Sequence, residues 1–259
     1  MLPVVLSIAG SDSGGGAGIQ ADLKTFQAFG AFGTTAVTAI TVQNTRGVSG
    51  IHLIPLETVG AQIAAVADDL HPAAVKSGML GSAELVSLVA ASIRDHSLAN
   101  YVLDPVMVAT SGDRLLHRDA EHSILRELVP LASLVTPNLD EAEILVGFPV
   151  RDAAAMHAAA RSLVDAGAGA ALLKGGHLRD GELMDVLFDG DDMHEWRRQR
   201  IVTTSTHGTG CTLSAAIAAG LSHGRPLLRA VEDGLRFVNR AIAAAPGLGS
   251  GNGPLNHLV

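Results

Sequence analysis

The segment Ser205-Thr206-His207-Gly208-Thr209-Gly210-Cys211-Thr212 runs straight into Leu213-Ser214-Ala215-Ala216-Ile217-Ala218-Ala219-Gly220. A turn of small residues and two glycines, followed at once by Ala-rich sequence, predicts a helix whose first backbone N–H groups lack intrahelical partners and converge on one point. The positive end of the helix dipole adds to them, so the turn reads as an anion site. Leu213, Ile217 and Leu221 recur at helical spacing. They predict one buried face that anchors the helix while its turn stays open to solvent. A Gly-x-Gly turn ahead of a core helix is also a common structural device, so the rest of the chain has to decide between the two.

The chain has 259 residues, 47% of them hydrophobic and 17% charged. That is enough for one large α/β domain or two small ones. No Pro/Ser-rich linker or charge block divides it, so we read one domain over residues 1–259. Aromatic residues make up 3%. A core of Ala, Val, Leu and Gly suits helices laid closely on a sheet better than a β-sandwich. A net charge of −8 disfavours a nucleic-acid surface but not a nucleotide ligand, whose charge is met locally. The single cysteine leaves no internal disulfide and no Cys-x-x-Cys metal pair, and the 11 histidines show no ligand spacing. No basic leader precedes the first apolar run, and no window approaches the ~20 apolar residues of a membrane span. We expect a cytoplasmic protein with neither membrane nor nucleic-acid partners, and no further domain after residue 259.

Val4 to Ala9 is an apolar run of strand formers that stops at a glycine loop, Gly10 to Gly18, before a helix carrying Ile19, Leu23 and Phe26. Strand, glycine loop and helix also open a dinucleotide-binding unit, but Ile19 stands where the third fingerprint glycine belongs. No Walker A lysine is preceded by the required glycine either. Thr34 to Val42 reads as a strand ending near Gln43. Leu56 to Leu70 reads as a helix, Ala73 to Val75 as a strand before Lys76, Ser82 to His96 as a helix, and Tyr101 to Leu103 as a strand before Asp104. The polar loop Val108 to Arg114, centred on Gly112, reads as a mobile flap. Leu134 to Thr136 is a strand before Pro137-Asn138, Leu139 to Val146 and Ala153 to Ala166 are helices, and Ala170 to Leu173 is a strand before Lys174. Leu183 to Phe188 and His194 to Ile201 read as an antiparallel pair around an acidic turn. A last helix spans Leu227 to about Ala245. The alternation predicts an α/β fold with a mostly parallel central sheet covered by helices on both faces.

Ser11, Asp12, Gln43, Lys76, Asp104, Asn138, Lys174 and Thr206 each follow the C-terminal end of a predicted strand. In a parallel sheet those ends share one edge, and ligands of open α/β sheets bind there. Turn chemistry alone supplies some polarity at such ends, and any one of these residues taken alone is more often a helix cap or a solvated loop residue.

Thr206-x-Gly208-x-Gly210 ahead of a nucleophile-type residue, late in a long α/β chain, resembles the anion hole of the ribokinase-like kinases. In most of that superfamily an aspartate comes next; here it is Cys211. Thr206 to Ser214 resembles, throughout, the form found in the hydroxymethylpyrimidine/phosphomethylpyrimidine kinases of thiamine biosynthesis. Ser13 to Asp22 and the tail Pro254-Leu255-Asn256-His257 are similar to the same family. The resemblance implies a ribokinase-like fold and an enzyme that uses ATP and Mg²⁺ to phosphorylate an aminopyrimidine alcohol and then its monophosphate. It implies a catalytic anion hole at Gly208, Thr209, Gly210 and Cys211, with the acceptor among Gly10, Asp12, Ala17, Gln43, Met79 and Val106. Lys174, Asn138 and Thr206 would face ATP, and Asp104 and Glu141 the metal. A homodimer is implied as well. A pyridoxal/pyridoxine kinase is the nearest rival, because both substrates are hydroxymethyl groups on six-membered nitrogen rings. A thiol hydrolase built on Cys211 and a non-catalytic nucleotide module are the rivals from other classes. A helix N-terminus favours thiolate, so the Cys211 pKa is expected below its usual value.

Overall fold

The near-continuous apolar run at the N-terminus forms a strand, β1 (Val4–Asp12), buried on both faces because it lies inside a covered parallel sheet. In the computed structural model of the chain, residues 2–107, 118–175 and 182–259 are described. β1 pairs in parallel with β2 (Phe32–Asn44) on one side and β4 (Ala74–Ser77) on the other. The parallel run continues through β5 (Tyr101–Leu103), β6 (Leu134–Val135) and β7 (Ala171–Lys174). Three antiparallel strands finish the two sides: β3 (Gly47–Leu53) beyond β2, and β8 (Glu182–Phe188) with β9 (Met193–Gln199) beyond β7. The spatial order is β3-β2-β1-β4-β5-β6-β7-β8-β9. The chain leaves β1 toward β2 on one side and, coming from β3 through α2, returns to place β4 on the other, and that reversal opens a crevice at the carboxyl ends of the strands.

Side chains alternate across the sheet. Leu6 and Ile8 of β1 join one apolar cluster and Val5 joins the other. The first cluster is closed by α2 (Leu56–Leu70), α3 (Ala83–Asp95), α5 (Leu139–Val146) and α6 (Ala153–Asp165) through residues such as Val59, Val89, Leu139 and Met156. A shorter helix, α4 (Arg118–Ser123), adds Ala120 to it. The second is closed by α1 (Gly18–Ala28), α7 (Thr209–Ser222) and α8 (Leu227–Ala243) through Phe26, Leu213, Ile217, Val231 and Val238.

Three features depart from the expectations. The helix after Gly208 is buried on every side from Thr212 to Leu221, not on one face, because α1 and α8 flank it above the sheet. β3 has no counterpart among the predicted strands; its sequence GVSGIHL carries two glycines and its residues are largely exposed, so no alternation marks it. Thr206 does not follow a strand end directly. β9 stops at Gln199, and residues 200–208 carry the chain from the sheet's edge back to the start of α7. The expected flap Val108 to Arg114 lies outside the described residues.

Behind the crevice, Lys76 and Asp22 are wholly buried, with Lys76 Nζ 2.9 and 3.1 Å from the Asp22 carboxylate oxygens and Ser7 Oγ donating to Asp22 at 2.5 Å. Breaking such a pair leaves an uncompensated charge, which costs far more than removing both partners. Lys76→Met is therefore expected to lose roughly 3–5 kcal/mol in urea denaturation, and Lys76→Met with Asp22→Leu is expected to recover most of that loss.

Candidate active site

Asp12 ends β1 and builds the first wall of the site. Its carboxylate accepts the backbone N–H groups of Gly14 at 2.7 Å and of Gly16 and Ala17 at 2.9 Å, folding the glycine loop around itself. It also lies 2.8 Å from His207 Nε2, across 195 residues of sequence. Burial alone would raise the Asp12 pKa, but His207 and these N–H groups outweigh it and hold the carboxyl below its ordinary range. The loops thus tied together touch backbone to backbone. A Cβ on Gly208 would stand 1.8 Å from the Gly16 carbonyl oxygen, and its φ of +82° is one that side chains rarely adopt, so only glycine fits there. The chain from Gly249 to His257 holds the second loop from outside. Gly253 O accepts from His207 N–H, Asn252 N–H donates to Thr45 O at 2.7 Å, and His257 Nε2 lies 2.9 Å from Thr212 Oγ1.

α7 is capped by Gly208 with no side chain bonded to its first turn; Thr209 N–H donates to Thr206 O at 3.3 Å, and Gly208, Gly210 and Cys211 line the crevice with their amides free of any side-chain cap. Thr209 Oγ1 donates to Thr206 O at 2.7 Å and fixes the turn. Cys211 lies in that first turn. The thiol departs from the expectation. Loss of water around it pushes its pKa up to about 11, against the pull of Lys76, while the charges of Asp104 and Asp22 add to the rise. A helix terminus does not outweigh two nearby carboxylates and burial.

On the other side of the turn, Lys174 at the end of β7 lies with its Nζ 3.0 Å from Asp104 Oδ1, and Ser214 Oγ of α7 donates to Asp104 Oδ2 at 3.2 Å. Burial would raise Asp104, but Lys174 and Lys76 hold it below its usual value. A Cβ on Gly210 would meet Lys174 Nζ at 3.1 Å, so the ammonium sits at the mouth of the anion turn. Asn138 and Glu141 form a reciprocal cap at the start of α5: Asn138 Oδ1 accepts Glu141 N–H at 2.9 Å and Glu141 Oε2 accepts Asn138 N–H at 2.8 Å. Glu141 is buried, which pushes it up to about 7; Lys174 lowers it and Asp104 raises it.

These groups enclose one cavity of about 620 Å³. Every residue singled out from sequence lines it: Gly10, Asp12, Ala17, Gln43, Met79 and Val106 beside β2, β1, β4 and β5, and Asp104, Asn138, Glu141, Lys174 and Thr206 to Cys211 at its centre. Gln43's amide lies between Thr41 and His207. Sequence reasoning missed the far end. Leu235, Val238, Asn239 and Ile242 of α8 line it with Ile201, and their i, i+3, i+4, i+7 spacing reads as core because a pocket wall and a core face share one period. Arg198 was missed too. It pairs with Asp185, which is buried and accepts Gly175 N–H at 3.1 Å, and nothing in the alternation of the β8 and β9 sequences marks that link. Among the described residues, no group of three or more His, Cys, Asp or Glu side chains could by itself hold a metal.

Residues 12–256 match the family model described as phosphomethylpyrimidine kinase. The hydroxymethylpyrimidine/phosphomethylpyrimidine kinase of Rhizobium meliloti is 50% identical over 99% of this chain and 97% of its own length. The thiamine biosynthesis bifunctional protein of Geobacter sulfurreducens is 49% identical over 98% of this chain, which spans only 52% of that protein. Among solved structures, the ADP complex of Bacillus subtilis pyridoxal kinase superposes with a TM-score of 0.93 at 37% identity, over 99% of this chain and 98% of that one.

A carboxyl raised by folding binds its proton more tightly in the native state, so it stabilises below the unfolded pKa and loses that contribution as pH rises through the folded value. For Glu141 the window runs from about 4.5 to about 7. The ligand-free protein is expected to lose roughly 2–4 kcal/mol of stability across it from this group. Glu141→Gln, which keeps the cap's acceptor, should flatten that part of the denaturation profile and be the more stable protein at pH 8.

Proposed function

The chain belongs to the phosphomethylpyrimidine kinase family, and from that premise we propose that it transfers the terminal phosphoryl group of ATP to the hydroxymethyl of 4-amino-5-hydroxymethyl-2-methylpyrimidine, and then a second to the resulting monophosphate. The diphosphate so formed serves thiamine biosynthesis. One observation carries the reading: the uncapped amides of α7 open into the middle of a cavity with an apolar-and-amide end at Gln43, Met79 and Val106 and a charged region at Asp104, Glu141 and Lys174. An acceptor on one side and ATP on the other would meet at that turn.

Phosphoryl transfer needs positioning and charge stabilisation more than covalent help from the protein. The amides of Gly208 to Cys211 meet the charge spreading over the moving phosphoryl oxygens, and Lys174 adds a fixed cation beside them. Asn138 and Thr206 border the ATP phosphates in this reading. Gln43 offers one carbonyl and one amide N–H to the ring nitrogen and amino group of the pyrimidine, while Met79 and Val106 close on its faces. Gly10, Asp12 and Ala17 form the opposite wall. Two buried carboxylates, Asp104 and Glu141, the second pushed up to about 7 by burial, suit a cation held mainly by water and phosphate oxygens. Mg²⁺ bound there would neutralise phosphate charge. The face of α8 at Leu235, Val238 and Ile242 is a slot for a flat base.

Pyridoxal is the second reading, favoured by the structural likeness to a pyridoxal kinase. The higher identity, 50% against 37%, lies with the pyrimidine kinase. We read residues 1–259 as one domain, placed in the cytoplasm where ATP is at hand. Among the described residues no helix is long and apolar enough to cross a membrane. Exposed Ile40, Val42, Ile51 and Leu53 on the β2–β3 edge support a homodimer, to be checked by sedimentation equilibrium.

ATP consumption measured side by side with hydroxymethylpyrimidine, its monophosphate and pyridoxal tests the assignment; turnover of pyridoxal alone would overturn it. Gln43→Leu should weaken pyrimidine binding by about 1–3 kcal/mol, and an unchanged KM would remove Gln43 from the acceptor site.

Cys211 is the side chain in the first turn of α7 with a proton acceptor to offer, but only as thiolate. With the thiol near 11, the thiolate fraction grows about tenfold per pH unit through the neutral range. Turnover limited by chemistry should climb from pH 7 to 10 accordingly. Cys211→Ala should lose about 10²–10⁴-fold and the slope with it. A flat profile with wild-type turnover in Cys211→Ala would leave the α7 amides as the catalytic element.

A further inference from the structure

The amide of Gln43 has two neighbours whose protons are already committed. Its Oε1 lies 3.0 Å from Thr41 Oγ1 and its Nε2 lies 3.3 Å from His207 Nε2. Thr41 has one hydroxyl proton, and the Ser11 carbonyl 2.9 Å away can only accept. That proton goes to Ser11, which leaves Thr41 Oγ1 an acceptor toward Gln43. On the other side, His207 Nε2 is 2.8 Å from Asp12 Oδ2. Asp12, also holding three backbone N–H groups, is an ionised acceptor. His207 Nε2 must therefore carry a proton, whether the ring is neutral or charged.

With its oxygen toward Thr41, the amide sets acceptor against acceptor at one end and donor against donor at the other. Half a turn about the Cγ–Cδ bond exchanges the two ends and leaves the side chain's shape unchanged: the nitrogen then donates to Thr41 Oγ1, and an oxygen instead of an N–H faces the proton that His207 Nε2 gives mainly to Asp12. We propose that Asp12, His207 and Thr41 lock the Gln43 amide with its oxygen toward His207 and its nitrogen toward Thr41, and that this lock decides which ring edge the cavity accepts. The proposal rests on the reading of Gln43 as the acceptor-binding amide.

One N–H of the amide and one lone pair of its oxygen then remain for a ligand. The N–H, on the Thr41 side, meets a ring nitrogen; the lone pair, on the His207 side, meets an exocyclic amino group. A 4-aminopyrimidine offers that pattern. Its 4-oxo counterpart presents a ring N–H beside a carbonyl, the reverse pattern, and is mismatched at both points. A site that leaves buried polar groups unpaired rejects a ligand far more strongly than one that loses an apolar contact. His207 and Thr41 act through Gln43 and are positioning residues for this selection, separate from the transfer step.

The test compares kcat/KM for 5-hydroxymethyl-2-methylpyrimidine bearing a 4-amino or a 4-oxo group, in the wild type and in Thr41→Val, which keeps the side chain's shape and removes its acceptor. Wild type should prefer the amino compound, and the preference should fall about tenfold in Thr41→Val, the worth of one neutral hydrogen bond. A purely structural role would lower both substrates together, and an unchanged ratio overturns the lock. A second readout uses wild-type protein alone: ¹⁵N NMR should show His207 Nε2 protonated at neutral pH, and a bare Nε2 also overturns it. If wild type phosphorylates neither pyrimidine, the proposed activity has failed, and the NMR result still decides the lock.

Discussion

Two loops at opposite ends of the sequence meet because one carboxylate binds both. Asp12 collects the N–H groups of Gly14, Gly16 and Ala17 and reaches His207 in the same buried space. Each bond to a charged acceptor is stronger than a neutral one, and burial removes the competing water. The mutual contact of Gly16 and Gly208 follows, and with it the direction in which α7 points its first turn. Remove that carboxylate and the glycine loop loses its scaffold while α7 loses its register against β1.

Around this link the site alternates its charges. Asp22, Lys76, Asp104 and Lys174 run from the back of the crevice to its mouth, with Cys211 and Glu141 beside them. The cations keep Asp104 ionised in a place where burial alone would neutralise it. Cys211 and Glu141 receive less help and stay protonated more readily. At both groups burial outweighs the nearby lysine, Lys76 for the thiol and Lys174 for the carboxyl. A site arranged in this way sets fixed cations beside a helix N-terminus, which is what the proposed phosphoryl transfer would need, and has two weak acids whose state an ionic ligand can change.

The parallel sheet and its helices were legible because their apolar periods are long and regular. Leu56–Leu70, Tyr101–Leu103 and Leu139–Val146 fall where the sequence puts them. The lining of the cavity was legible for a different reason: strand ends in one direction put Asp12, Gln43, Asp104, Asn138 and Lys174 on one edge, and the family resemblance supplied Met79 and Val106. The rest depended on distances that sequence does not encode. The α8 face looks like any core face until it is known to border the cavity as well as the apolar cluster. The thiol of Cys211 was read from its helix terminus alone, and the opposing carboxylates come from α1 and from the end of β5, far away in sequence. The hairpin partner β3 hid behind two glycines.

The strap from Gly249 to His257 gives the molecule an order of assembly. His207 takes its backbone partner from Gly253, and Thr45 of the β2–β3 turn meets Asn252, so the loop before α7 and that turn gain these contacts only once residues beyond 250 have been synthesised. The strands β1, β2 and β4, all within the first 77 residues, have no such dependence on the far end of the chain. On a ribosome that adds roughly 5–20 residues per second, the acceptor half of the sheet is therefore made well before the loops that close over it. Long sequence separation delays closure further. Scaffold precedes site, and a nascent chain can hold much of its sheet while the loop that completes the crevice is still to come.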